Sequence, residues 1–519
     1  MSELYKQGSN RNQQLLFPPS IDDYVDEDNS VRAIDAYVEL LDLTKLQFSN
    51  TRKSDRADGQ KAYSPKLMLK IYIYGYLNKI RSSRALEKEC RRNLELIWLT
   101  QDLKPSYHTI ADFRKNNPKA LKQVFKEFVL LCKNINLIGD GLKAVDGAFL
   151  RANASKNQLI MKKSIDRDLL KVKQDIEQYL QSLEYADKEK QPSNLINKLP
   201  KDLRKLKYKQ EELSKNLALL EKLDKTQYNR TDPDASLMRK PAHNLMAYNS
   251  QIVVDEKFKF IVAIDVSSIG SDFDQLYQMA KQTKENLNID TLQIVADTGY
   301  DSAKEIKKCI DEDINPIVAK AKKQQPKKDK YSRDEFIYDK ESDSYICPNN
   351  QNLYKSDIVQ IKLKKKNILY HASSKICKNC PLRDKCIPDK TAYKRIFRWE
   401  YEEIIETHSK QMQTDEAKVI IKKRGSIVEH PFGTIKRTLG WDHFLVRGRN
   451  KVSGENALIM FTYNFKRLLN LIGIELFQKL IIAIKDKSLQ KIREEIAQYI
   501  AHFSLYIACV FRKKSYASI

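Results

Sequence analysis

The sequence lacks a long uninterrupted apolar run. Its most apolar stretch, Ile496–Phe511, is interrupted by Gln498, His502 and Ser504. A membrane-spanning helix needs about 20 consecutive apolar residues, so this stretch does not predict one. The first residues, Met1–Gln7, are polar and do not resemble the apolar core of a signal peptide. We therefore expect a soluble, cytoplasmic protein.

Cysteine is scarce, with 8 residues among 519, most of them scattered along the chain. Such a distribution argues against a small secreted scaffold held together by disulfides. The chain length instead predicts two to four domains with a large buried core.

Acidic residues are outnumbered by basic ones. Lysine and arginine total 93 against 68 aspartates and glutamates, which gives a net charge of +25. An excess of this size predicts a polyanionic partner, nucleic acid before a membrane surface. The alternative is a general bias toward lysine that implies no partner.

Two aspartates stand on apolar, strand-like runs. Asp146 follows Ala144-Val145 and precedes a glycine, and Asp297 follows Gln293–Ala296 and precedes Thr298-Gly299. Each run predicts a strand that delivers a carboxylate to the edge of a sheet. The alternative is that each aspartate only caps a turn.

A third acid, Glu429, lies in a densely basic stretch, Arg424–Arg437. We predict a helix up to Pro431, which can then begin a new helical turn that carries Lys436. The alternative is a solvated basic helix with one ion-paired glutamate. Together with the two aspartates, Glu429 supplies a third hard oxygen ligand of the kind that Mg²⁺ and Mn²⁺ prefer.

The first 140 residues predict several short helices with basic exposed faces. This pattern favours a helical DNA-binding domain of the helix-turn-helix kind. Tyr107–Lys115 is the candidate recognition helix, and Arg91 and Arg92 are candidate phosphate contacts. The alternative is a helical bundle that only supports the core. The predicted helices are Val31–Leu41 capped by Asn29 or Ser30, one opened by Ser64-Pro65, then Ser83–Leu99, Ser106–Arg114 and Lys119–Ile135.

Heptad spacing appears between residues 160 and 225. Apolar residues recur at intervals of four and three, which predicts two helices folded into an antiparallel coiled-coil hairpin. This hairpin would either contact a second subunit or DNA, or act as a rigid spacer. The positions are Ile165, Leu169, Val172, Ile176, Tyr179 and Leu183, then Leu203, Leu206, Gln210, Leu213, Leu217 and Leu220.

From residue 243 onward, strand-like and helical patterns alternate. They predict a mixed sheet covered by helices. The elements are the strands Leu245–Asp255 and Phe258–Ser267, the helix Gln275–Asn286, the strand Leu292–Ala296, the helix Ser302–Ile310 and the strand Asn315–Ala319.

Residues 321–395 are basic, strand-like and contain four cysteines. The Cys377-Lys378-Asn379-Cys380 spacing is typical of a zinc knuckle, and four thiolates would close a structural zinc site. The four are Cys347, Cys377, Cys380 and Cys386, with His371 as a competitor for the place of Cys347. The alternative is a set of reduced cysteines without metal.

A basic loop follows Glu429 and suits DNA phosphates. It contains Trp441, Asp442, Arg447, Gly448, Arg449 and Lys451. A helix over Gly454–Ile472 comes next, and the tail after Gly473 is predicted to be helical and basic, with no assignable function.

Five runs of residues resemble a bacterial insertion-sequence transposase of the DDE superfamily: Ala144–Ser155, Thr231–Ala235, Tyr248–Asp255, Asp297–Tyr300 and Val428–Gly433. The resemblance implies an α/β RNase H-like catalytic core, a mixed sheet flanked by helices, over residues 141–320 and 396–475. An all-α N-terminal domain (1–140) would precede it. A coiled-coil hairpin (160–225) and a mainly β insertion (321–395) would interrupt it, and a tail (476–519) would follow.

By this resemblance Asp146, Asp297 and Glu429 match the three catalytic acids, which hold Mg²⁺ or Mn²⁺. Lys436 matches the basic residue seven positions after the glutamate in the Tyr-Arg-Glu-Lys pattern of related transposases. Lys436 and Arg424 would neutralise phosphate charge at this site. Arg424, the candidate for the arginine of the pattern, lies five residues before the glutamate where that pattern has four, and no tyrosine precedes it at the expected place.

The resemblance also implies the reaction. Two metal ions would activate water to cut a strand at the element end, then activate the freed 3′-hydroxyl to attack target DNA. The partners would be double-stranded DNA, as terminal inverted repeats and target, and a second copy of the chain, at the bacterial nucleoid. The alternatives are a metal-dependent nuclease that never joins strands, and a non-catalytic DNA-binding protein derived from a transposase.

Overall fold

The computed structural model describes residues 20–49, 62–188, 199–239, 244–320, 331–362 and 365–516. The chain forms two compact units. The first comprises Met1–Gly270, Gln282–Ile289 and Ser426–Ile519, and the second comprises Ser271–Lys281 and Asp290–Gly425. Within the described ranges, no helix is both long and apolar enough to cross a membrane.

In the described part of the chain, six α-helices open the first unit. Asn29 caps the first of them by accepting a hydrogen bond from the Val31 N–H at 2.9 Å, and Ser64 caps the second, which begins at Pro65. The sequence predicts one helix over Ser83–Leu99, but the structure has two helices there. Asn93 ends the first of them and caps the second through its side chain. The six are α1 (Ser30–Leu40), α2 (Pro65–Leu77), α3 (Ser83–Arg92), α4 (Leu94–Thr100), α5 (Tyr107–Asn116) and α6 (Pro118–Asn134).

The heptad region forms a helical hairpin, as its spacing predicts. Its two helices pack along each other, and a short antiparallel strand pair closes the base. Ile160, Ile165 and Leu220 are buried together there. The elements in order are β1 (Lys143–Arg151), β2 (Leu159–Met161), α7 (Lys162–Lys188), α8 (Leu199–Lys222) and β3 (Gln227–Asn229). Leu183, a predicted heptad position, has no described side chain.

The sheet of the first unit is antiparallel and centred on one long strand. It contains β1, β4 (Ser236–Arg239), β5 (Asn244–Asp255) and β6 (Ile261–Ser267). β1 pairs with β5 so that Asp146 lies opposite Ile252. β4 and β6 pair with successive segments of β5. The strand pair predicted around residues 245–267 is therefore present.

The second unit contains one parallel strand pair. β7 (Leu292–Ala296) pairs with β8 (Ile314–Val318), and the connection between them contains α10 (Ala303–Asp311). The helix before this pair is α9 (Leu276–Leu287). Antiparallel and parallel pairings therefore both occur, and the chain belongs to the mixed α/β class that its sequence predicts.

The cysteine-containing segment of the second unit is an antiparallel five-stranded sheet. Its strand order is β13-β12-β11-β10-β9, around a core that includes Phe336, Leu353 and Tyr370. The elements are β9 (Ile337–Asp339), β10 (Ser344–Ile346), β11 (Asn352–Lys362), β12 (Lys365–His371), α11 (Ser374–Lys378), α12 (Arg383–Cys386), β13 (Arg395–Trp399) and α13 (Glu402–Gln411).

Three helical segments complete the chain: α14 (Asp415–Gly433), α15 (Arg449–Lys485) and α16 (Leu489–Tyr516). α14 continues through Pro431, so the prediction that Pro431 starts a new turn is wrong. α15 begins five residues before the predicted Gly454 and breaks at Gly473, whose φ of +75° suits glycine. That break lies where the sequence separates helix from tail.

The N-terminal helices and α15 share one hydrophobic core. α1, α2, α5 and α6 all contact α15. The rings of Tyr37 and Phe128 lie 5.4 and 5.0 Å from that of Phe461, and Tyr76 stacks on Trp441 at 4.2 Å. The N-terminal helices therefore supply one side of the core that α15 fills.

Polar side chains of α15 fix it to the antiparallel sheet. The Asn464 amide both accepts from the Ile261 N–H at 2.9 Å and donates to the Ile261 carbonyl at 2.8 Å. Ser250 on β5 donates to Asn456 at 2.8 Å. Because all four groups are buried, these bonds fix the register of α15 on β5 and β6.

Candidate active site

Asp297 follows β7 directly, as predicted, and uses both carboxylate oxygens. One accepts the Gly299 N–H at 2.8 Å and so caps the turn Thr298–Tyr300. The other accepts a hydrogen bond from the Arg424 guanidinium at 3.1 Å. The Asp297 side chain is 42% exposed and that of Arg424 15% exposed. The aspartate therefore caps a turn and also pairs with a second predicted site residue.

Gly299 leaves space for a second carboxylate beside Asp297. A Cβ atom at this position would lie 3.0 Å from Asp297 Oδ1 and 3.6 Å from Asp272 Oδ2. Any larger side chain would crowd both acids. Sequence reasoning missed Asp272, since it belongs to an ordinary polar run before α9 and only the fold brings it to this turn.

Asp146 lies within β1 rather than at its end. Its neighbours Ala144 and Val145 are buried, while Asp146 itself is half-buried and accepts a hydrogen bond from the Gly147 N–H at 2.9 Å. The strand continues to Arg151 because Gly147 adopts strand geometry here instead of a turn. A carboxylate in this position is held by the pairing of β1 with β5.

Glu429 is exposed near the end of α14, next to an anchoring histidine. His430 Nδ1 lies 3.0 Å from the Tyr463 hydroxyl, which donates its own hydrogen to the Lys259 carbonyl at 2.9 Å. Nδ1 must therefore carry the hydrogen and donate to Tyr463. Burial lowers the pKa of His430, and the charges of Arg467 and Lys259 act in the same direction. This chain of bonds ties α14 to α15.

Lys436 lies in a π-helical turn, Thr434–Thr438, that follows α14. Its ammonium group is 5.4 Å from the centroid of the Phe432 ring, and its side chain is half-buried. The predicted placement on the side of Glu429 assumed two regular α-helical turns, and the wider π turn changes that rotation.

The predicted site residues are divided between the two units. Asp146, Glu429 and Lys436 belong to the first unit, and Asp297 and Arg424 to the second. The structure brings Asp297 and Arg424 together. In the ranges of chain that the structure describes, no group of three or more histidine, cysteine or acidic side chains is arranged to hold a metal ion. The metal-binding role of the three acids stays a prediction.

Two family models match the chain. One, described as "Transposase DDE domain", matches residues 346–469, and the other, described as "Transposase domain (DUF772)", matches residues 19–116. Together the two matches support a DDE-type insertion-sequence transposase. The first match includes Arg424, Glu429 and Lys436, and the second includes most of the N-terminal helices.

Two further comparisons carry less information about the family of this chain. No curated protein matches the transposase sequence. Among solved structures, a cryo-EM structure of the piggyBac transposase synaptic complex with hairpin DNA is similar at 9% sequence identity. The alignment covers 91% of this chain and 79% of that chain with a TM-score of 0.30, at which the two folds are not shown to be the same.

The four predicted zinc ligands of the transposase line one small cavity of about 30 Å³. The Gln351 N–H donates to the Cys347 sulfur at 3.3 Å. Burial raises the pKa of Cys386, Lys394 opposes this shift, and the other three thiols add to it. His371 does not line this cavity; its ring packs 5.4 Å from Tyr393. Cys347 therefore lies with the other three cysteines, and His371 does not.

Part of the candidate recognition helix α5 is buried in the hydrophobic core. Its Arg114 is buried, 3.4 Å from Glu455 and 3.0 Å from the Tyr76 hydroxyl. Arg114 is therefore unavailable to DNA, while His108 and Lys115 are exposed on the same helix. The predicted phosphate contacts Arg91 and Arg92 are also exposed, although each pairs with a glutamate of its own helix.

Proposed function

We propose that this transposase binds the ends of its element and uses Asp146, Asp297 and Glu429, with Mg²⁺ or Mn²⁺, to cut and join DNA strands. The observation that carries the proposal is the DDE-domain match across residues 346–469, which contains Glu429 and Arg424. The Arg424–Asp297 pair supports it, because it links an acid outside the match to an arginine inside it.

The donor chemistry of the three acids fits a divalent ion. Carboxylate oxygens are hard ligands, and Mg²⁺ takes few of them while keeping several waters. When bound, two such ions would lower the pKa of the attacking water or 3′-hydroxyl and neutralise charge on the phosphodiester. The remaining steps fall to the chain itself.

Arg424 holds the Asp297 carboxylate in one orientation, and the absence of a side chain at Gly299 leaves access to it. Lys436 supplies a positive charge for a phosphate beside the cleaved one. The ring of Phe432 under its ammonium group limits the positions that Lys436 can adopt.

The domain layout belongs to the same proposal. The RNase H-like core would comprise residues 141–320 and 396–475, interrupted by the hairpin at 160–225 and the β insertion at 321–395. Strand β13 (Arg395–Trp399) pairs with β12, so the insertion's sheet extends past the predicted boundary at residue 395 as far as Trp399. Residues 1–140 would recognise the element ends, with Arg91 and Arg92 on phosphates, and 476–519 would form the tail.

The partners would be double-stranded DNA, as terminal inverted repeats and target, and a second copy of the chain. The net charge of +25 supports a nucleic-acid partner. The place of action would be the bacterial nucleoid.

The β insertion would hold a structural Zn²⁺ on Cys347, Cys377, Cys380 and Cys386. All four cysteines line the shared cavity, and thiolates are the ligands that structural zinc prefers. In the described residues the four thiols are not arranged to hold a metal, so zinc binding would require them to rearrange. Metal analysis of the purified protein tests this: one zinc per chain, lost in Cys380→Ser, is expected, and zinc-free native protein would contradict it.

A strand-transfer assay tests the proposed reaction. The substrate is a duplex that carries the terminal inverted repeat found beside the gene, and the target is a supercoiled plasmid. Metal-dependent cleavage followed by joined products is expected. Cleavage without joining would favour the nuclease alternative, and binding without cleavage would favour a non-catalytic DNA-binding protein.

A further inference from the structure

The run Thr231–Ala235, which the proposed reaction does not use, encloses a fully buried carboxylate. Asp232 accepts hydrogen bonds from the Tyr248 hydroxyl at 2.9 Å and from the Gly448 N–H at 3.1 Å. It also accepts the Asp234 N–H at 3.3 Å. A buried charge is stable only when such donors surround it, so this carboxylate fixes the groups that it contacts.

The second acid of the run holds the next amide along the chain. Asp234 Oδ2 accepts the Arg449 N–H at 3.0 Å, at the start of α15. The Asn229 side chain in turn caps the Thr231 and Asp232 N–H groups at 2.9 and 3.2 Å. Two consecutive amides, 448 and 449, are therefore clamped by two aspartates, with Gly448 at a φ of +85°.

This clamp fixes the residue immediately before it. Arg447 is exposed and donates from Nε to the Asn153 carbonyl at 3.0 Å. The Asn153 amide donates to the Leu445 carbonyl at 2.7 Å, which closes the loop. Among the residues that the structure describes, no carboxylate forms an ion pair with Arg447. Its positive charge is thus oriented by neutral oxygens and remains available.

Arg449, the other arginine of the loop, is committed to the fold. Its Nε donates to the Val266 carbonyl at 2.8 Å, and its guanidinium lies 3.5 Å from Asp265. The sequence treats Arg447 and Arg449 as equivalent candidates for phosphate binding. The structure separates them and leaves Arg447 as the available group.

Further basic side chains are exposed around the same loop. Arg151 ends β1, and Lys156 lies on the turn after it. Arg230 joins this turn through its N–H, which donates to the Gln158 carbonyl at 3.0 Å. The partners of Arg151 and Arg230 are exposed carboxylates, and such ion pairs exchange readily for a phosphate.

We propose that Arg447 binds a phosphate of the DNA backbone, flanked by Arg151 and Lys156, and that Asp232 is the residue that positions it. This inference rests on the proposed function. Arg151 lies five residues beyond Asp146 on β1, roughly 16 Å along an extended strand. For a DNA strand that follows β1 at about 3.4 Å per nucleotide, the phosphate beside Arg151 would lie about five nucleotides from the cleaved one.

The direct test compares Arg447→Gln with Lys491→Gln, an exposed lysine of α16 outside the proposed surface. Affinity for the element-end duplex is measured at several salt concentrations. Arg447→Gln should bind about tenfold more weakly, and its dependence on salt should fall by about one unit of slope, as one lost phosphate contact requires. Lys491→Gln should match the wild type. An Arg447→Gln protein with wild-type affinity and slope would overturn the inference.

A double-mutant cycle tests the positioning role. Asp232→Asn keeps the shape but places an amide beside donor groups, which should release the loop. If Asp232 acts through Arg447, Asp232→Asn adds little to the loss already present in Arg447→Gln. Fully additive losses would contradict the positioning role. Should Asp232→Asn fail to fold by circular dichroism, Asp234→Asn replaces it in the cycle.

These outcomes are separable from failure of the proposed function. If wild-type protein cleaves the element end while Arg447→Gln binds it normally, only this inference fails. If wild-type protein neither binds nor cleaves the end, the proposed function fails and takes this inference with it. Phosphate-ethylation interference gives a second readout, with loss of the interference signal at one phosphate expected in Arg447→Gln.

Discussion

The guanidinium of Arg424 lies 3.1 Å from the carboxylate of Asp297, although 127 residues separate the two in the chain. One lies on α14 and the other follows β7. The sequence pattern gave Arg424 an offset of five residues from Glu429 instead of four. The contact assigns it a partner that the pattern did not.

Replacement of Arg424 by alanine should lower strand cleavage about tenfold to a hundredfold, because a hydrogen bond to a charged group contributes about 1.5–3 kcal/mol. Arg424→Lys should restore part of the rate, since a lysine supplies the charge without the planar fork. Single-turnover cleavage at saturating DNA measures both. The control is Arg437→Ala, an exposed arginine after α14. Equal rates in Arg424→Ala and the control would remove Arg424 from the site.

Lys436→Ala should weaken binding of the cleaved end and slow joining. The lysine's charge is held above the Phe432 ring, and its loss removes one phosphate contact, about one unit of salt slope. Affinity measured across a salt series checks this. If Lys436 is only a solvated side chain, neither joining nor the slope will change.

The buried pair Arg114–Glu455 predicts that the N-terminal helices are part of the core. Removal of one partner from a buried ion pair costs about 3–5 kcal/mol, so Arg114→Met should destabilise the protein by that order. Burial lowers the pKa of Arg114, but the surrounding acid and hydroxyls raise it by more. The net shift is upward, so Arg114 stays charged. Urea unfolding measures the change, and the exposed Lys115→Met is the control, expected within about 0.5 kcal/mol.

The same packing bears on truncation. The sequence predicts residues 1–140 as a separate all-α domain that precedes the catalytic core. Because α1, α2, α5 and α6 cover α15, deletion of residues 1–140 exposes a large apolar surface and should yield unfolded or aggregated protein. A monomeric, cooperatively unfolding fragment lacking these residues would show that the packing is dispensable.

The environment of His408 predicts that the stability of the second unit depends on pH. Its Nε2 donates to the Pro316 carbonyl at 2.8 Å, and burial, with the charge of Lys320, lowers its pKa. The unfolded chain, with a histidine pKa of about 6.5, therefore binds protons more readily than the folded one. His408 does not reduce the free energy of unfolding above about pH 6.5, and it reduces that free energy increasingly as the pH drops below this value.

Hydrogen exchange of the α13 and β8 amides between pH 7 and 5, corrected for intrinsic rates, measures this effect. His408→Gln should reduce the pH dependence, and His371→Gln, in the insertion sheet, should retain it. Unchanged pH dependence in His408→Gln would assign the effect to other groups.

Local signals predicted the elements of the fold well. Asn29 and Ser64 mark helix starts because a cap needs only neighbouring residues, and Leu292–Ala296 is a strand with the predicted bounds. The prediction that a new turn begins at Pro431 is wrong because the surrounding packing keeps the helix continuous through this residue, at the loss of one hydrogen bond. Such tertiary compensation leaves no local signature.

The residue types of the candidate site could be predicted from the sequence, but the contacts between those residues could not. Asp297 was identified from its strand, whereas its pairing with Arg424 and its closeness to Asp272 depend on chain segments far apart in sequence. Arg114 belongs to the predicted recognition helix, and charge patterns do not reveal that its side chain is buried. The position of Cys347, and not His371, beside the other three cysteines likewise depends on the fold.

The central claim is that Asp146, Asp297 and Glu429 together support metal-dependent cleavage of DNA. Its most direct test is cleavage of the element end in Mg²⁺ and in Mn²⁺ by the wild type and by Asp146→Asn, Asp297→Asn and Glu429→Gln, with end binding measured in parallel. We predict that each substitution abolishes cleavage in both metals while end binding, which depends mainly on phosphate contacts elsewhere, persists. Substantial cleavage by any one of the three variants would contradict the claim.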